Sequence, residues 1–508
     1  MSQNLFDLFA GRIADPARVA IETAGGEAWT YGDVVGLSGR IAGALVALGV
    51  RPGDRVAVQV EKSVPALMLY LAAVRAGAVF LPLNTAYTLA ELEYFIGDAE
   101  PRVVVCDPAN RDGVARIAGG AEVATIDAHG RGSLMDLAER TDADFATVAR
   151  ENDDLAAILY TSGTTGRSKG AMLTHENLVS NALALVEAWR FSADDVLIHA
   201  LPIYHTHGLF VATNCVLFSG ARMVFLPKFN PDEIFAALPR ATCMMGVPTF
   251  YTRLLQDKRL TQDATAHIRL FVSGSAPLLA ETHREWQART GHPILERYGM
   301  TETNMSTSNP YEGERVPGTV GFPLPGVALR IADPDTGALL PQGEIGMIEV
   351  KGPNVFKGYW RQPEKTKAEF RADGFFITGD LGKIDERGYV HIVGRGKDLI
   401  ITGGFNVYPK EVETEIDSLP GVEESAVIGL PHPDFGEGVT AVLVPQKGAS
   451  VDEKAVIAAL EKRLAKFKLP KRVFVVPELP RNTMGKVQKN VLRDTYRNLY
   501  AAPSAKVG

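Results

Sequence analysis

The sequence predicts an α/β protein in two unequal parts: a large N-terminal domain of layered α/β sheets with a β-rich subdomain, and a small C-terminal α+β domain. Three observations predict it. A chain of 508 residues exceeds what one ordinary core holds, so more than one domain is expected. Short β-rich apolar runs alternate with helical patterns, which argues for a largely parallel sheet with crossover helices. From about Gly313 the pattern changes to strands punctuated by Gly and Pro, and from about Lys397 to a shorter α/β pattern.

Taken in order, RVAVQV (55–60) reads as a strand and the residues around 67–75 as a helix. AVFLPL (78–83), a helix near Leu89 and RVVVCD (102–107) continue the alternation. The greasy stretch VPALMLYLAAVRAGAVFLPL is interrupted by Arg75 and Gly77, so it reads as a buried helix running into a strand and not as a membrane span. DLAAILY (154–160), MVFLP (223–227) and LFVSGSAP (270–277) repeat the strand pattern. GEIGMIEVKG and RGYVHIVGRG mark a separate β-rich subdomain over 313–396, so that 1–396 forms the large domain. In 397–508 the pattern gives a helix at KEVETEIDSL, strands at ESAVIGL and GVTAVLV, and an amphipathic helix through Val456, Leu460 and Leu464.

Composition narrows the function classes. Apolar residues make up 46% and the net charge is −7, which gives no electrostatic bias toward nucleic acid or membrane. Cys106, Cys215 and Cys243 stand far apart with no CxxC pair, against a disulfide framework or a zinc knuckle. The N-terminus has no apolar core of a signal peptide, and a reducing, cytoplasmic setting is expected.

The run TSGTTGRSKG (161–170) follows a predicted buried strand. Its glycines bring backbone N–H groups close to an anion, its hydroxyls add donors and Lys169 adds charge, which together suit a polyphosphate. The register excludes a Walker A loop, because five residues after Gly163 stands Ser168 and Lys169 is followed by glycine. Alone, the run also fits a flexible Gly/Ser/Thr linker.

With ERYGMTET (296–303), ITGD (377–380), GRGKDLI (394–400) and RNTMGKVQK (481–489) following in this order, the chain resembles the AMP-forming adenylating superfamily. That superfamily includes acyl-CoA synthetases, firefly-type luciferases and peptide-synthetase adenylation domains. The resemblance covers nearly the whole chain and implies ATP and CoA as co-substrates and Mg²⁺ as cofactor. It implies that Thr161, Ser162, Gly163, Thr164, Thr165, Gly166 and Lys169 grip the departing phosphates. Ser275 and Ala276 then form the adenine-side wall, and Tyr298, Gly299, Met300 and Thr301 the adenine and α-phosphate contacts. Glu302, with Thr161, would hold Mg²⁺; Asp380 would accept from the ribose hydroxyls and Arg395 touch the nucleotide.

Lys486 corresponds to the catalytic lysine bridging carboxylate and α-phosphate, acting with Thr301 and Glu302. Because it lies on the small domain, that domain must be mobile, with Lys397 at the hinge and Gly403 and Gly404 lining the pantetheine entrance. The basic residues Lys462, Arg463, Lys466, Lys468, Lys471 and Arg472 could meet CoA phosphates, although a solvated helix face explains most of them. Acetylation of Lys486 by a protein acetyltransferase, reversed by a deacetylase, would switch such an enzyme off.

The acid is read from LPIYHTHGLF (201–210), VPTFYTRLL (247–255), GSAP and the residues before YGMTE. The His205/His207 pair has no evident third ligand for a metal, so His207 is assigned by resemblance to the acyl pocket wall, and Ser273 to the same pocket. Arg297 stands directly before YGMTE, where relatives acting on neutral acids carry a small residue. A guanidinium there needs a partner, and the second carboxylate of a short dicarboxylic acid would supply one. Alternatively Arg297 pairs with Glu296 or another acid, and Arg253 shares or takes the carboxylate. In these segments the chain resembles the malonyl-CoA synthetases of the superfamily, which implies malonate, and often methylmalonate, as substrate. The competing readings are a CoA synthetase for another short or aromatic acid, and a stand-alone adenylation domain loading a carrier protein.

Overall fold

The computed structural model describes residues 2–161, 168–402, 405–482 and 485–500. Its two largest sheets are built by the predicted alternation. One has nine strands, of which Val19–Thr23, Arg222–Phe225, Val196–His199, Cys243–Gly246, Leu270–Ser273 and Leu295–Met300 lie parallel in that spatial order. The other has seven strands, with Leu155–Thr161, Val79–Pro82, Arg55–Gln59, Val103–Cys106 and Glu122–Thr125 parallel in that spatial order.

Side chains alternate across each strand, and the alternation sorts them between cores. Leu197, Met223 and Met245 of the first sheet and Val56, Val58, Val103 and Val105 of the second share one central core. Their neighbours Ile198, Val224 and Met244 face a core on the far side of the first sheet, and Ala57 and Val104 one on the far side of the second. The helices Tyr31–Ala47, Val64–Arg75 and His175–Ala188 fill the layer between the sheets.

The greasy stretch is the helix Val64–Arg75, apolar all round because it is packed on all sides. Ser63 caps it and Pro65 sits in its first turn. Arg75, which broke the apolar run, is buried and donates to the carbonyls of Val35 (2.7 Å) and Phe145 (2.6 Å), with its guanidinium over the Phe6 ring. No helix among the described residues is long and apolar enough to cross a membrane.

The β-rich portion departs from a separate unit. Ala328–Ala332, Gly346–Lys351, Phe376–Ile384 and Val390–Arg395 form a four-stranded antiparallel sheet. However, Phe322–Pro323 pairs with Asn304–Ser308 at the edge of the first large sheet, and Gly358–Tyr359 with Lys169–Thr174 at the edge of the second. This portion therefore ties the other two sheets together.

Beyond residue 400 the chain builds its own cores around a sheet in which Val422–His432 and Gly436–Pro445 form a long antiparallel pair and Arg472–Val475 adds a parallel strand. The expected amphipathic helix is shorter than its pattern: Glu453–Leu460 is helical, and Leu464 packs on the core from the following loop.

Candidate active site

The hairpin joining Leu295–Met300 to Asn304–Ser308 is the centre of the site. A Cβ at Gly299 would lie 1.8 Å from the Asn304 carbonyl oxygen, so only glycine lets the two strands close this tightly. The turn buries Glu302, whose Oε1 accepts from Thr161 Oγ1 at 3.3 Å and from the Tyr359 hydroxyl at 3.1 Å. Burial raises the pKa of Glu302, and the Tyr359 hydrogen bond and the charges of Arg395 and Lys169 oppose that rise. The same Tyr359 hydroxyl lies 2.7 Å from Glu369 Oε2. Lys169 is buried, 3.3 Å from Glu369 and 4.1 Å above the Tyr359 ring. Its ammonium is thus engaged by protein groups, with Tyr359 and Glu369 as members of the site that the sequence reading missed.

A second cluster lies across the four-stranded sheet, where Asp380 faces Arg395 in register. Arg395 Nε binds Asp380 Oδ1 at 2.7 Å, and the Tyr298 hydroxyl donates to Asp380 Oδ2 at 2.6 Å. Lys486 arrives from the small domain. Enclosure by protein and the charge of Arg395 lower its pKa, and Asp380 and Asp398 pull the other way, although the residue as a whole stays exposed. Its backbone N–H donates to Asn482 Oδ1 at 2.9 Å, and at Gly485 (φ 75°) the loop comes so close to helix Pro248–Leu255 that a Cβ would lie 3.2 Å from Thr249 Cγ2. Tyr298, Asp380, Arg395 and Lys486, distant in sequence, therefore share one neighbourhood. Lys397 is exposed, beside Asp398, which pairs with Arg493.

The third cluster surrounds Arg297. It is 4% exposed, and its Nε and Nη2 have no hydrogen-bond partner. No carboxylate among the described residues pairs with it: Glu296 points to the other face, accepting from the Gly318 N–H at 3.0 Å and lying 3.0 Å from His283 Nδ1. Burial without an acid pushes the Arg297 guanidinium down to about 9. Gly274 makes room for it, since a Cβ there would lie 2.3 Å from Arg297 Cζ. Ser273 Oγ is buried and unpartnered, as is His207 Nε2, while His207 Nδ1 lies 3.3 Å from Ser275 Oγ. Burial and then the Arg297 charge hold His207 well below the usual histidine range, hence neutral. Ser275 and Ala276 are half-buried beside it, and Ser275 adopts φ 70°, a left-handed conformation uncommon outside glycine.

Arg253 is placed differently. It is exposed on helix Pro248–Leu255, over the Phe229 ring, while Tyr251, Leu254 and Leu255 face the core. Arg297 alone of the two arginines is buried. The expectations for Ser162, Gly163, Thr164, Thr165, Gly166, Gly403 and Gly404 fall outside the described residues. Thr301 and Met300 are half-buried in the hairpin. Among the described residues no group of three or more His, Cys, Asp or Glu side chains could hold a metal ion.

Comparisons with known proteins identify the family. The family model "AMP-binding enzyme" matches residues 12–360, and "AMP-binding enzyme C-terminal domain" matches 411–486. ATP-bound MatB from Rhodopseudomonas palustris is 68% identical over 98% of this chain and 100% of its own, with a TM-score of 0.97. Apo MatB, at the same identity and coverage, superposes with a TM-score of 0.87. A malonate–CoA ligase of Arabidopsis thaliana is 34% identical over 98% of this chain and 90% of its own length. A feruloyl-CoA synthase of Amycolatopsis is 37% identical over 92% and 94%, so identity at this level does not select the acid. The chain belongs to the AMP-binding enzyme family, as an AMP-forming acid–thiol ligase.

Proposed function

We propose that the protein is a malonate–CoA ligase that converts malonate, ATP and CoA into malonyl-CoA, AMP and pyrophosphate through malonyl-AMP, and that it also accepts methylmalonate. The observation that carries this reading is Arg297, a buried guanidinium with no acid among the described residues to pair with, beside Ser273 and His207. A monocarboxylate would leave that charge unpaired in the core, whereas the distal carboxylate of a short diacid supplies a bidentate partner. Neutral His207 and Ser273 add hydrogen-bonding atoms without competing for the charge. The Arabidopsis relative named as a malonate–CoA ligase supports the same reading.

Glu302 and Thr161 would hold Mg²⁺. One carboxylate and one hydroxyl converging at 3.3 Å suit an ion that takes most of its ligands from water and substrate phosphates. The ion supplies neutralisation of phosphate charge when bound. Asp380 accepts from the ribose hydroxyls, sharing oxygens now used by Tyr298 and Arg395. The proximal carboxylate attacks the α-phosphorus and pyrophosphate leaves, while Lys486 and Thr301 offset the growing charge. The small domain then turns about Lys397, Gly403 and Gly404 line the path of the CoA thiol, and thiolate attack on the acyl carbonyl releases AMP. Acetylation would remove the Lys486 charge and stop the first half-reaction. The setting we assign is cytoplasmic.

Replacing Arg297 by Ala tests this directly. The kcat/KM for malonate is expected to fall by about 100-fold or more, corresponding to loss of one buried charged pairing, while that for propionate changes little. Equal losses on both acids would remove the dicarboxylate assignment.

A further inference from the structure

Lys62 lies outside every motif above, between the end of strand Arg55–Gln59 and Ser63, the cap of helix Val64–Arg75. Its ammonium points inward, 2.8 Å from the His199 carbonyl oxygen, 3.0 Å from His199 Nδ1 and 4.2 Å over the face of Phe225. No carboxylate among the described residues pairs with it. The Gly208 carbonyl beside His199 Nε2 can only accept, so the ring proton sits on Nε2 and Nδ1 accepts from Lys62, whose pKa burial lowers well below the usual lysine range. His199 Nε2 is 2.9 Å from the Gly208 carbonyl oxygen, which therefore receives that proton as a hydrogen bond; Thr213 Oγ1 donates to the same carbonyl at 3.0 Å.

Gly208 lies in the segment His207–Ala212, a π-helical turn and not an α-helix. Such turns leave a carbonyl short of its ordinary partner and are frequent at functional sites. The backbone has little freedom there, because a Cβ on Gly208 would lie 2.1 Å from the Pro202 carbonyl oxygen. The preceding residue is His207, which touches Ser275 and stands beside Arg297.

We propose that Lys62 is a positioning residue for the acyl pocket: it locks the His199 tautomer, and His199 in turn fixes the π-helical turn that presents His207. The proposal rests on the reading that His207 lines the acyl pocket, but not on which acid fills it. Lys62→Met keeps the stem against Phe225 and removes the donor.

The test combines kinetics with ¹⁵N spectra of protein labelled at its ten histidines, the His199 signal being assigned by its loss in His199→Asn. In the wild type, His199 should show an unprotonated Nδ1 and a protonated Nε2. In Lys62→Met that preference should relax, with the KM for malonate and for propionate rising about tenfold, the KM for ATP unchanged within about twofold, and Lys62→Arg recovering part of the loss. A proton on Nδ1 in the wild type would overturn the proposal even if no variant folds. So would acid and ATP parameters that move together, or that stay unchanged while only the melting temperature falls. If Arg297→Ala fails to separate the two acids, the dicarboxylate reading falls, while the Lys62 result, read on either acid, stands.

Discussion

The Arg297 guanidinium is destabilised where it stands, buried with Nε and Nη2 lacking hydrogen-bond partners. Its pKa in the folded chain is lowered from the usual arginine range to about 9, with burial as the cause. Above about pH 9 the folded state therefore gives up a proton that the unfolded chain retains to much higher pH, so the site contributes increasing stability as pH rises beyond about 9. Recognition runs the other way. As pH rises through about 9 the cation needed by a distal carboxylate is lost, and the KM for malonate is expected to rise relative to that for propionate in a pH series of initial rates. Substituting Gly274 by Val should have a similar selective effect at neutral pH, because even a Cβ would sit 2.3 Å from Arg297 Cζ. Arg297 was picked out by its position directly before YGMTE, with pairing to Glu296 left open, and the structure turns Glu296 to the other face. Arg253, the second candidate for the carboxylate, is exposed instead: Tyr251, Leu254 and Leu255 mark the buried face of its helix, and 253 lies on the opposite face. Nothing local announces Tyr359, Glu369 or Lys62, whose partners lie far along the chain.

Strands and helices were the most readable level, since alternation in the strands and the all-apolar helix Val64–Arg75 follow directly from burial on both faces. What the pattern could not give was the way short edge strands join sheets: Gly358–Tyr359 is only two residues long and carries no periodicity, yet it docks on Lys169–Thr174. The helix His175–Ala188 secures the same junction. Thr174 and Asn177 form a capping box at its start, and Asn177 Nδ2 donates to the carbonyls of Pro353 and Val355, each at 2.8 Å. Asn177→Ala removes the capping box and both of these partly buried hydrogen bonds and is expected to cost about 1 kcal/mol, read as a lower urea midpoint with an unchanged slope.

At the scale of the whole molecule, Lys486 comes near Asp380 and Arg395 only because the C-terminal portion is docked as it is, and the chain superposes more closely on ATP-bound than on apo MatB. The docking was expected because RNTMGK, which carries the lysine we propose as catalytic, follows the other motifs into the C-terminal portion; the approach of Gly485 to Thr249 was not legible. Lys486→Ala is expected to abolish malonyl-AMP formation, followed by pyrophosphate exchange, and to leave part of the thioester synthesis from supplied malonyl-AMP. Lys397→Pro, which fixes φ at the proposed hinge, should do the reverse. The most direct measurement is product analysis after incubation with ATP, Mg²⁺, CoA and either malonate or propionate. The expected result is AMP and pyrophosphate in equal amounts with malonyl-CoA formed and CoA consumed, and far slower turnover of propionate. Formation of ADP, or equal turnover of the two acids, would contradict it.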